Sequence, residues 1–246
     1  MQDLTSKIHI GTSGFYYAHW KGVFYPDTLA KAHFFTYYME HFETVELNST
    51  FYHLPRAKTV EHWMEESPET FLFALKAHRQ ITHYHKLKDA GEPLYRFLHL
   101  IKPLKPKIAA ILFQLPPSLH MDAEILAAFL ALLPPGYRFA VEFRHESWYC
   151  DAVYEVLKAY NVALCLNDFA QREITPLITA DFSYMRLHGP TGRYGGSYDD
   201  ATLAHFCDML LEMAHHQKAL FVYFNNDTEG YAVENARRLR ALVEHR

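Results

Sequence analysis

The stretch Tyr137–Tyr149 reads YRFAVEFRHESWY and decides the fold. It opens as an apolar strand, Phe139–Phe143, and becomes ionic where that strand ends. Side chains two apart on a strand share a face, so Glu142 and Arg144 are expected to point the same way. In a strand buried on both sides that direction is the protein interior, where an unpaired charge costs several kcal/mol. The carboxyl end of this strand is therefore expected to open onto a polar site.

Seven more short apolar segments resemble this strand, and most are separated from the next by a segment with helical periodicity. The other predicted strands are Lys7–Ile10, Thr44–Asn48, Phe71–Leu75, Ile108–Leu115, Val162–Leu166, Phe182–Leu187 and Leu220–Phe224. The predicted helices are Lys31–His41, Ala57–Glu66, Pro93–Ile101, Asp122–Leu133, Asp151–Tyr160, a helix capped by Asp199 or Asp200 that runs to His216, and Tyr231–Glu244. Apolar strands alternating with helices indicate parallel β-α units buried on both faces.

Eight such units predict an α/β fold, a TIM-like (β/α)8 barrel of parallel strands with outer helices. An open sheet of six or seven strands is the alternative. No linker, repeat or low-complexity segment divides the sequence, which predicts one domain over residues 1–246.

Composition narrows the class of protein. Half of the 246 residues are hydrophobic, and the net charge of −4 gives no overall attraction to nucleic acid or to a membrane. Three widely spaced cysteines form no C-x-x-C pair, which fits a reducing compartment. The segment MQDLTSKIHIG has no apolar signal core, and no apolar run approaches the ~18–20 residues of a membrane span. We therefore expect a cytoplasmic protein with no membrane partner.

Polar side chains lie at or just after the carboxyl ends of all eight predicted strands. They are Thr12, Ser13, Glu46, Asn48, Lys76, Gln114, Glu142, Arg144, Asp168, Arg186, His188 and Asn225. The active sites of TIM barrels lie at this end of the barrel, so a functional site is expected here. A structural polar plug is the alternative.

Seven motifs, in order along nearly the whole chain, carry a family resemblance. They read GTSGFYYAHWKGVFYP, VELNSTFYHLP, FALKAHRQITH, LFQLPP, VEFRHESWY, RLHG and YFNND. The chain resembles the YecE-like family, domain of unknown function family 72. The resemblance implies a TIM-barrel-like fold, and it brings no established activity, so the expected chemistry depends on the residues themselves.

Cations at the strand ends predict an anionic ligand, a phosphorylated or carboxylated small molecule. Arg offers planar paired donors for such groups and Lys a point charge. The expected anion-binding cations are Lys76, Arg144, Arg186 and Arg193, and the expected further ligand contacts are Asn48, Gln114, Asn225 and Tyr194. Gly192, Gly195 and Gly196 could offer backbone N–H groups to the anion, or could simply form turns.

Four residues are the candidates for proton transfer: Glu46, Glu142, Asp168 and His188. A carboxylate near a barrel mouth can have its pKa raised by burial and lowered again by a neighbouring cation. The alternative is structural, with Glu142 serving only as the counter-ion of Arg144 or Lys76.

Aromatic residues near the strand ends, among them Tyr52, have two possible roles. They could stack against a base or a sugar, or they could simply pack the loops. Packing is favoured for Trp20 and Trp148.

A divalent metal site is the remaining alternative, although no metal or other cofactor is predicted. Its ligands would come from His78, His83, His85, His145 and His188 with Glu46, Glu142 and Asp168, but no H-E-x-x-H motif is present. The leading hypothesis is a metal-independent enzyme acting on an anionic small molecule. Its rivals are a metal-dependent phosphoesterase, including one acting on nucleic acid, and a non-catalytic module that binds anions or nucleic acid.

Overall fold

The apolar segments form eight parallel strands in chain order, closed into a barrel, in the computed structural model, which describes residues 4–246. The strands are β1 Ile8–Ser13, β2 Thr44–Leu47, β3 Leu72–Lys76, β4 Ile108–Gln114, β5 Phe139–Glu142, β6 Ala163–Asn167, β7 Ser183–Leu187 and β8 Leu220–Phe224. The predicted TIM-like barrel is confirmed in preference to the open sheet. Strand β5 is the stretch on which the prediction was built, and Glu142 is its last residue.

Every predicted helix is present. The α-helices are α1 Phe34–Met39, α2 Ser49–Tyr52, α3 Ala57–Glu66, α4 Gly91–Ile101, α5 Ala123–Leu130, α6 Asp151–Ala159, α7 Asp200–Ala214 and α8 Tyr231–Glu244. Asp199 is the N-cap of α7, where its carboxylate accepts a hydrogen bond from the Thr202 N–H at 2.8 Å. The segment after β6 has a short 3-10 turn, Phe169–Gln171, in keeping with the weak helical pattern of its sequence.

Two helical segments that the sequence did not predict flank candidate site residues. Helix α2 follows β2 directly and has only four residues, too few to show a helical period. Gln80–Tyr84 forms a π-helical turn after β3, between the predicted strand Phe71–Leu75 and the predicted helix Pro93–Ile101.

Strand β1 is longer than predicted, because Gly11 continues the strand instead of opening a turn. Thr12 and Ser13 pair with Val45 and Glu46 of β2. A Cβ atom at Gly11 would lie 2.2 Å from the Thr44 carbonyl oxygen, so only glycine allows β2 to approach β1 this closely. The predicted end of this strand at Ile10 was therefore wrong.

The chain groups into two compact units. The first unit, residues 4–46, 166–177 and 181–246, contains β1, β7 and β8 with α1, α7 and α8. In it α8 packs against β1, β8 and α7. The second unit, residues 47–165 and 178–180, contains β3–β5 with α2–α6, and α5 packs against α6. One domain over residues 1–246 stays a prediction.

Aromatic side chains fill much of each unit. In the first unit Trp20 is fully buried and donates its indole N–H to Asp227 Oδ1 at 2.6 Å. In the second unit Trp148 is fully buried, stacks on Phe143 with ring centroids 4.8 Å apart, and donates to the Leu119 carbonyl oxygen. The packing role expected of both tryptophans is therefore observed. Within residues 4–246, no helix is both long and apolar enough to cross a membrane.

Candidate functional site

Four polar residues meet at the carboxyl ends of β3, β4 and β5 in the second unit. We call Lys76, Gln114, Glu142 and Arg144 the β3–β5 cluster. Lys76, Gln114 and Glu142 are the last residues of their strands, and Gln114 pairs with Glu142 in the strand register. Glu142 is fully buried, Lys76 is buried, and the Arg144 side chain is only 4% exposed. The parallel strands therefore deliver two cations and one carboxylate into a site largely withdrawn from solvent.

The neutral Gln114 amide is the point on which both cations of the cluster converge. Its Oε1 atom accepts a hydrogen bond from Lys76 Nζ at 2.8 Å and a longer one from Arg144 Nη2 at 3.4 Å. The same guanidinium nitrogen lies 2.5 Å from Glu142 Oε1. Thr50 Oγ1 donates to the Lys76 carbonyl oxygen at 2.7 Å, which fixes the end of β3. Two positive groups that share one acceptor form a geometry suited to an anion's oxygen atoms.

The pKa of the neighbouring His83 is lowered by burial and by two nearby cations. Burial, assisted by the charges of Lys76 and Arg79, lowers the pKa of His83 to about 4. Its Nδ1 atom is 2.9 Å from Thr82 Oγ1. His83 is thus neutral near pH 7, and two cations lie close enough to oppose its protonation.

In the first unit, Glu46 and Arg186 form a buried ion pair, 0% and 1% exposed. Glu46 Oε1 accepts from Arg186 Nη2 at 2.8 Å, Arg186 Nε at 3.1 Å and Ser13 Oγ at 2.5 Å. Glu46 Oε2 accepts from the Tyr184 hydroxyl at 2.6 Å. Burial alone would raise the pKa of Glu46, but Arg186 and these hydrogen bonds outweigh it and hold the pKa below its ordinary value.

The ion pair accounts for the burial of both Glu46 and Arg186. Glu46 and Arg186 are each other's charged partners, so each explains how the other is buried. Proton transfer by Glu46 and anion binding by Arg186 stay predictions. Tyr184 is a contributor that the sequence reasoning missed. It lies two residues before Arg186 in β7, so strand parity could have placed both on one face.

The lowered pKa of Glu46 predicts a loss of stability in acid. A carboxylate whose folded pKa lies below its unfolded value of about 4.3 stabilises the folded state above that value. This contribution is lost as the pH falls through the folded pKa. We expect the urea midpoint to fall as the pH is lowered from about 5 to about 3, and to fall less in Glu46→Gln. An equally steep acid loss in Glu46→Gln would contradict the assignment.

Asp168, Tyr198 and His188 form a second polar group in the first unit. The Tyr198 hydroxyl donates to Asp168 Oδ2 and accepts from the Gly189 N–H at 2.5 Å. Asp168 Oδ1 accepts from the backbone N–H of His188 at 2.6 Å. Burial raises the pKa of Asp168 despite these donors. Asn225 Nδ2 lies 3.1 Å from His188 Nδ1, so Asn225 orients the imidazole ring.

A cavity of about 320 Å³ lies beside Asp168 and Tyr198, with Arg172 and His205 in its lining. Asp168 contacts His188, and His188 contacts Asn225, so these three predicted site residues lie together. Their roles in proton transfer and ligand binding stay predictions.

The glycine-rich loop after β7 uses several of its own N–H groups internally. The Gly192 N–H donates to the Gly189 carbonyl oxygen at 2.8 Å, and the Thr191 N–H to that of Gly195 at 3.4 Å. Arg193 is exposed, and Tyr194 is exposed with a left-handed φ of 65°. The Tyr194 ring packs edge-on against His188, with ring centroids 5.2 Å apart. The turn interpretation of the glycines fits this hydrogen bonding better than an anion cradle does.

The last predicted ligand contact is Asn48, which follows β2. Its Oδ1 atom is buried and accepts no hydrogen bond from any group of residues 4–246.

The candidate metal ligands do not come together. The described part of the chain has no group of three or more His, Cys, Asp or Glu side chains placed to hold a metal ion. His145 instead stacks on His120, with ring centroids 3.9 Å apart, and accepts from the Ser147 N–H.

Comparison with known proteins gives the family. The UPF0759 protein YunF of Bacillus subtilis is 26% identical over an alignment that covers 89% of this chain and 90% of YunF. The UPF0759 protein YecE of Escherichia coli K12 is 33% identical over 113 residues, 46% of this chain and 42% of YecE. A DUF72 family protein of Thermotoga maritima, known from a crystal structure, is 30% identical with a TM-score of 0.89. The match covers 96% of this chain and 99% of that one.

The family description "Protein of unknown function DUF72" matches residues 9–246, nearly the whole sequence. Together with the shared fold of the Thermotoga maritima protein, this match confirms the resemblance found in the seven motifs. The chain belongs to the DUF72 family.

Proposed function

We propose that the chain is an acid–base enzyme that binds a phosphorylated or carboxylated small molecule at the β3–β5 cluster. The observation that carries the proposal is the Gln114 amide oxygen shared by Lys76 and Arg144. A buried ammonium and a buried guanidinium brought to one acceptor are matched in charge and geometry to the oxygens of a phosphate or carboxylate.

The two cations have different roles in this proposal. Arg144 presents a planar guanidinium, which can hold two oxygens of an anion at once, whereas Lys76 acts as a point charge. An anion oxygen of the substrate occupies the position of Gln114 Oε1 between them, after a rotation of the amide. Because the site is largely withdrawn from water, each charged contact is stronger there than at an exposed surface.

Glu142 is the group proposed to move a proton. Its carboxylate contacts the Arg144 guanidinium, so it lies close to the proposed anion position. A substrate anchored through its anion would present its adjoining carbon or hydroxyl group to this carboxylate. Such chemistry needs a positioned carboxylate and fixed cations, and in our proposal it proceeds without a metal ion.

The test separates turnover from binding. Wild-type protein is incubated with a panel of sugar phosphates and carboxylic acids, and products are followed by NMR. Glu142→Gln should lower turnover of any substrate found by about 100-fold or more, the effect expected for a general acid or base. The same variant should keep its thermal stabilisation by inorganic phosphate. Glu155→Gln, an exposed carboxylate on α6, is the matched control and should keep both properties.

The rival functions predict other results. Binding of phosphate without turnover of any compound would favour a non-catalytic anion-binding module. Turnover that is lost with a chelator and restored by a divalent metal would favour the metal-dependent phosphoesterase. Full activity in Glu142→Gln would remove this residue from the mechanism.

A further inference from the structure

One half-buried arginine and two exposed tyrosines lie together near the β3–β5 cluster, in the same unit. The Arg79 guanidinium carbon is 6.0 Å from the ring centroid of Tyr52 and 5.5 Å from that of Tyr84. Tyr52 is 53% exposed and Tyr84 is 64% exposed. We call Tyr52, Arg79 and Tyr84 the aromatic patch. It holds a cation over two rings that remain open to solvent, at distances typical of cation–π contacts.

The backbone that builds the patch is unusual. Tyr84 ends the π-helical turn Gln80–Tyr84, a rare conformation found often at functional sites. Close after it, Lys86, Leu87 and Asp89 have positive φ angles of 49°, 70° and 49°. A positive φ angle costs free energy in a residue other than glycine, and residues with this conformation cluster at ligand-binding and catalytic sites.

The Phe51 side chain connects the aromatic patch to the β3–β5 cluster. Lys76 Nζ lies 4.3 Å from the centroid of the Phe51 ring, and Phe51 packs edge-on against Tyr52 with ring centroids 5.0 Å apart. His83, the residue before Tyr84, packs edge-on against the same Phe51 ring at 4.8 Å. One side chain, Phe51, therefore links the Lys76 ammonium to the exposed Tyr52 ring. A ligand could contact both ends at once.

We propose that the aromatic patch binds the base of a nucleotide whose phosphate is held at the β3–β5 cluster. This inference rests on the proposed function and names its substrate class. Any base can stack on a tyrosine ring, and a neighbouring arginine strengthens the contact. Such stacking is strong enough to favour a ligand that carries a base over one that lacks it. In a nucleoside monophosphate the ribose separates the base from the phosphate, just as Phe51 separates the Tyr52 ring from Lys76.

The experiment uses calorimetric titration of the full chain with four probes: adenosine 5′-monophosphate, ribose 5-phosphate, adenosine and inorganic phosphate. Wild-type protein should bind the nucleotide at least about tenfold more tightly than ribose 5-phosphate, since the base adds a stacking contact. Tyr52→Leu and Tyr84→Leu should each weaken nucleotide binding about five- to tenfold. Neither variant should change binding of ribose 5-phosphate.

Tyr95→Leu is the matched control, because Tyr95 is a 72% exposed tyrosine on α4 of the same unit. It should bind all four probes as wild type does, and thermal melts should show that the three variants are folded. Equal affinities for nucleotide and ribose 5-phosphate, with no effect of the tyrosine variants, would overturn the nucleotide inference and leave the anion site standing. Failure of ribose 5-phosphate and inorganic phosphate to bind would refute the anion site itself.

Discussion

Replacing Arg186 with Met is expected to lower the free energy of unfolding by about 3–5 kcal/mol, the usual cost of breaking a buried ion pair. Glu46 would stay fully buried while losing the two guanidinium hydrogen bonds that help to hold its pKa low. The hydroxyl groups of Ser13 and Tyr184 would still donate to it, but they are neutral and cannot replace the lost positive charge. The measurement is urea unfolding at about pH 7, where an unperturbed glutamate is ionised.

Two further variants make this result specific. Adding Glu46→Gln to Arg186→Met should restore much of the stability, because the uncompensated charge is then removed. Lys158→Met removes an exposed partner of Glu155 on α6 and should cost less than about 1 kcal/mol. A loss below about 1 kcal/mol in Arg186→Met would show that the buried pair contributes little, and would free Arg186 for the anion-binding role that the sequence suggested.

Replacing Lys76 with Met is expected to weaken binding of inorganic phosphate at least about tenfold. A hydrogen bond to a charged group contributes about 1.5–3 kcal/mol, and each ~1.4 kcal/mol corresponds to a factor of ten in affinity. Methionine keeps most of the length of the lysine stem, so the loss reflects the ammonium group that contacts Gln114. Calorimetric titration of phosphate into both proteins measures the change.

Lys107→Met is the matched control for this variant. Lys107 is also a buried lysine of the second unit, but its ammonium donates to the Met64 and Ser67 carbonyl oxygens and to Ser67 Oγ. Its replacement should destabilise the protein while leaving phosphate affinity unchanged. Equal phosphate affinity in Lys76→Met and wild type would remove Lys76 from the anion site.

The barrel could be predicted from sequence because its strands carry a local signal. Each strand is a short apolar run bounded by polar or turn residues, and β-α alternation fixes the parallel order. Strand parity also placed Glu142 and Arg144 on one face, and they form an ion pair. The convergence of Lys76 and Gln114 followed from their positions at the ends of neighbouring strands.

The pairing of distant charges could not be predicted in the same way. Glu46 and Arg186 are separated by 140 residues, and nothing local to either one assigns it to the other. Sequence reasoning therefore grouped Arg186 and Arg193 with Lys76 and Arg144, whereas the structure gives Arg186 a carboxylate partner and leaves Arg193 exposed.

The aromatic patch depends on backbone geometry that has no simple sequence period. The π-helical turn and the three positive φ angles after it lie in a stretch for which no strand or helix was predicted. Tyr52 was recognised as an aromatic residue near a strand end, but its contact with Arg79 was not predicted. Tertiary structure brings them together from opposite sides of helix α3 in the sequence.

The central claim is that Lys76 and Arg144 hold an anion, and a crystal structure of the protein with phosphate tests it most directly. We expect phosphate oxygens about 2.7–3.0 Å from Lys76 Nζ and from an Arg144 guanidinium nitrogen, with the Gln114 amide turned away. Phosphate bound elsewhere, for example at Arg193 and the glycine-rich loop, with the β3–β5 cluster unchanged, would contradict it.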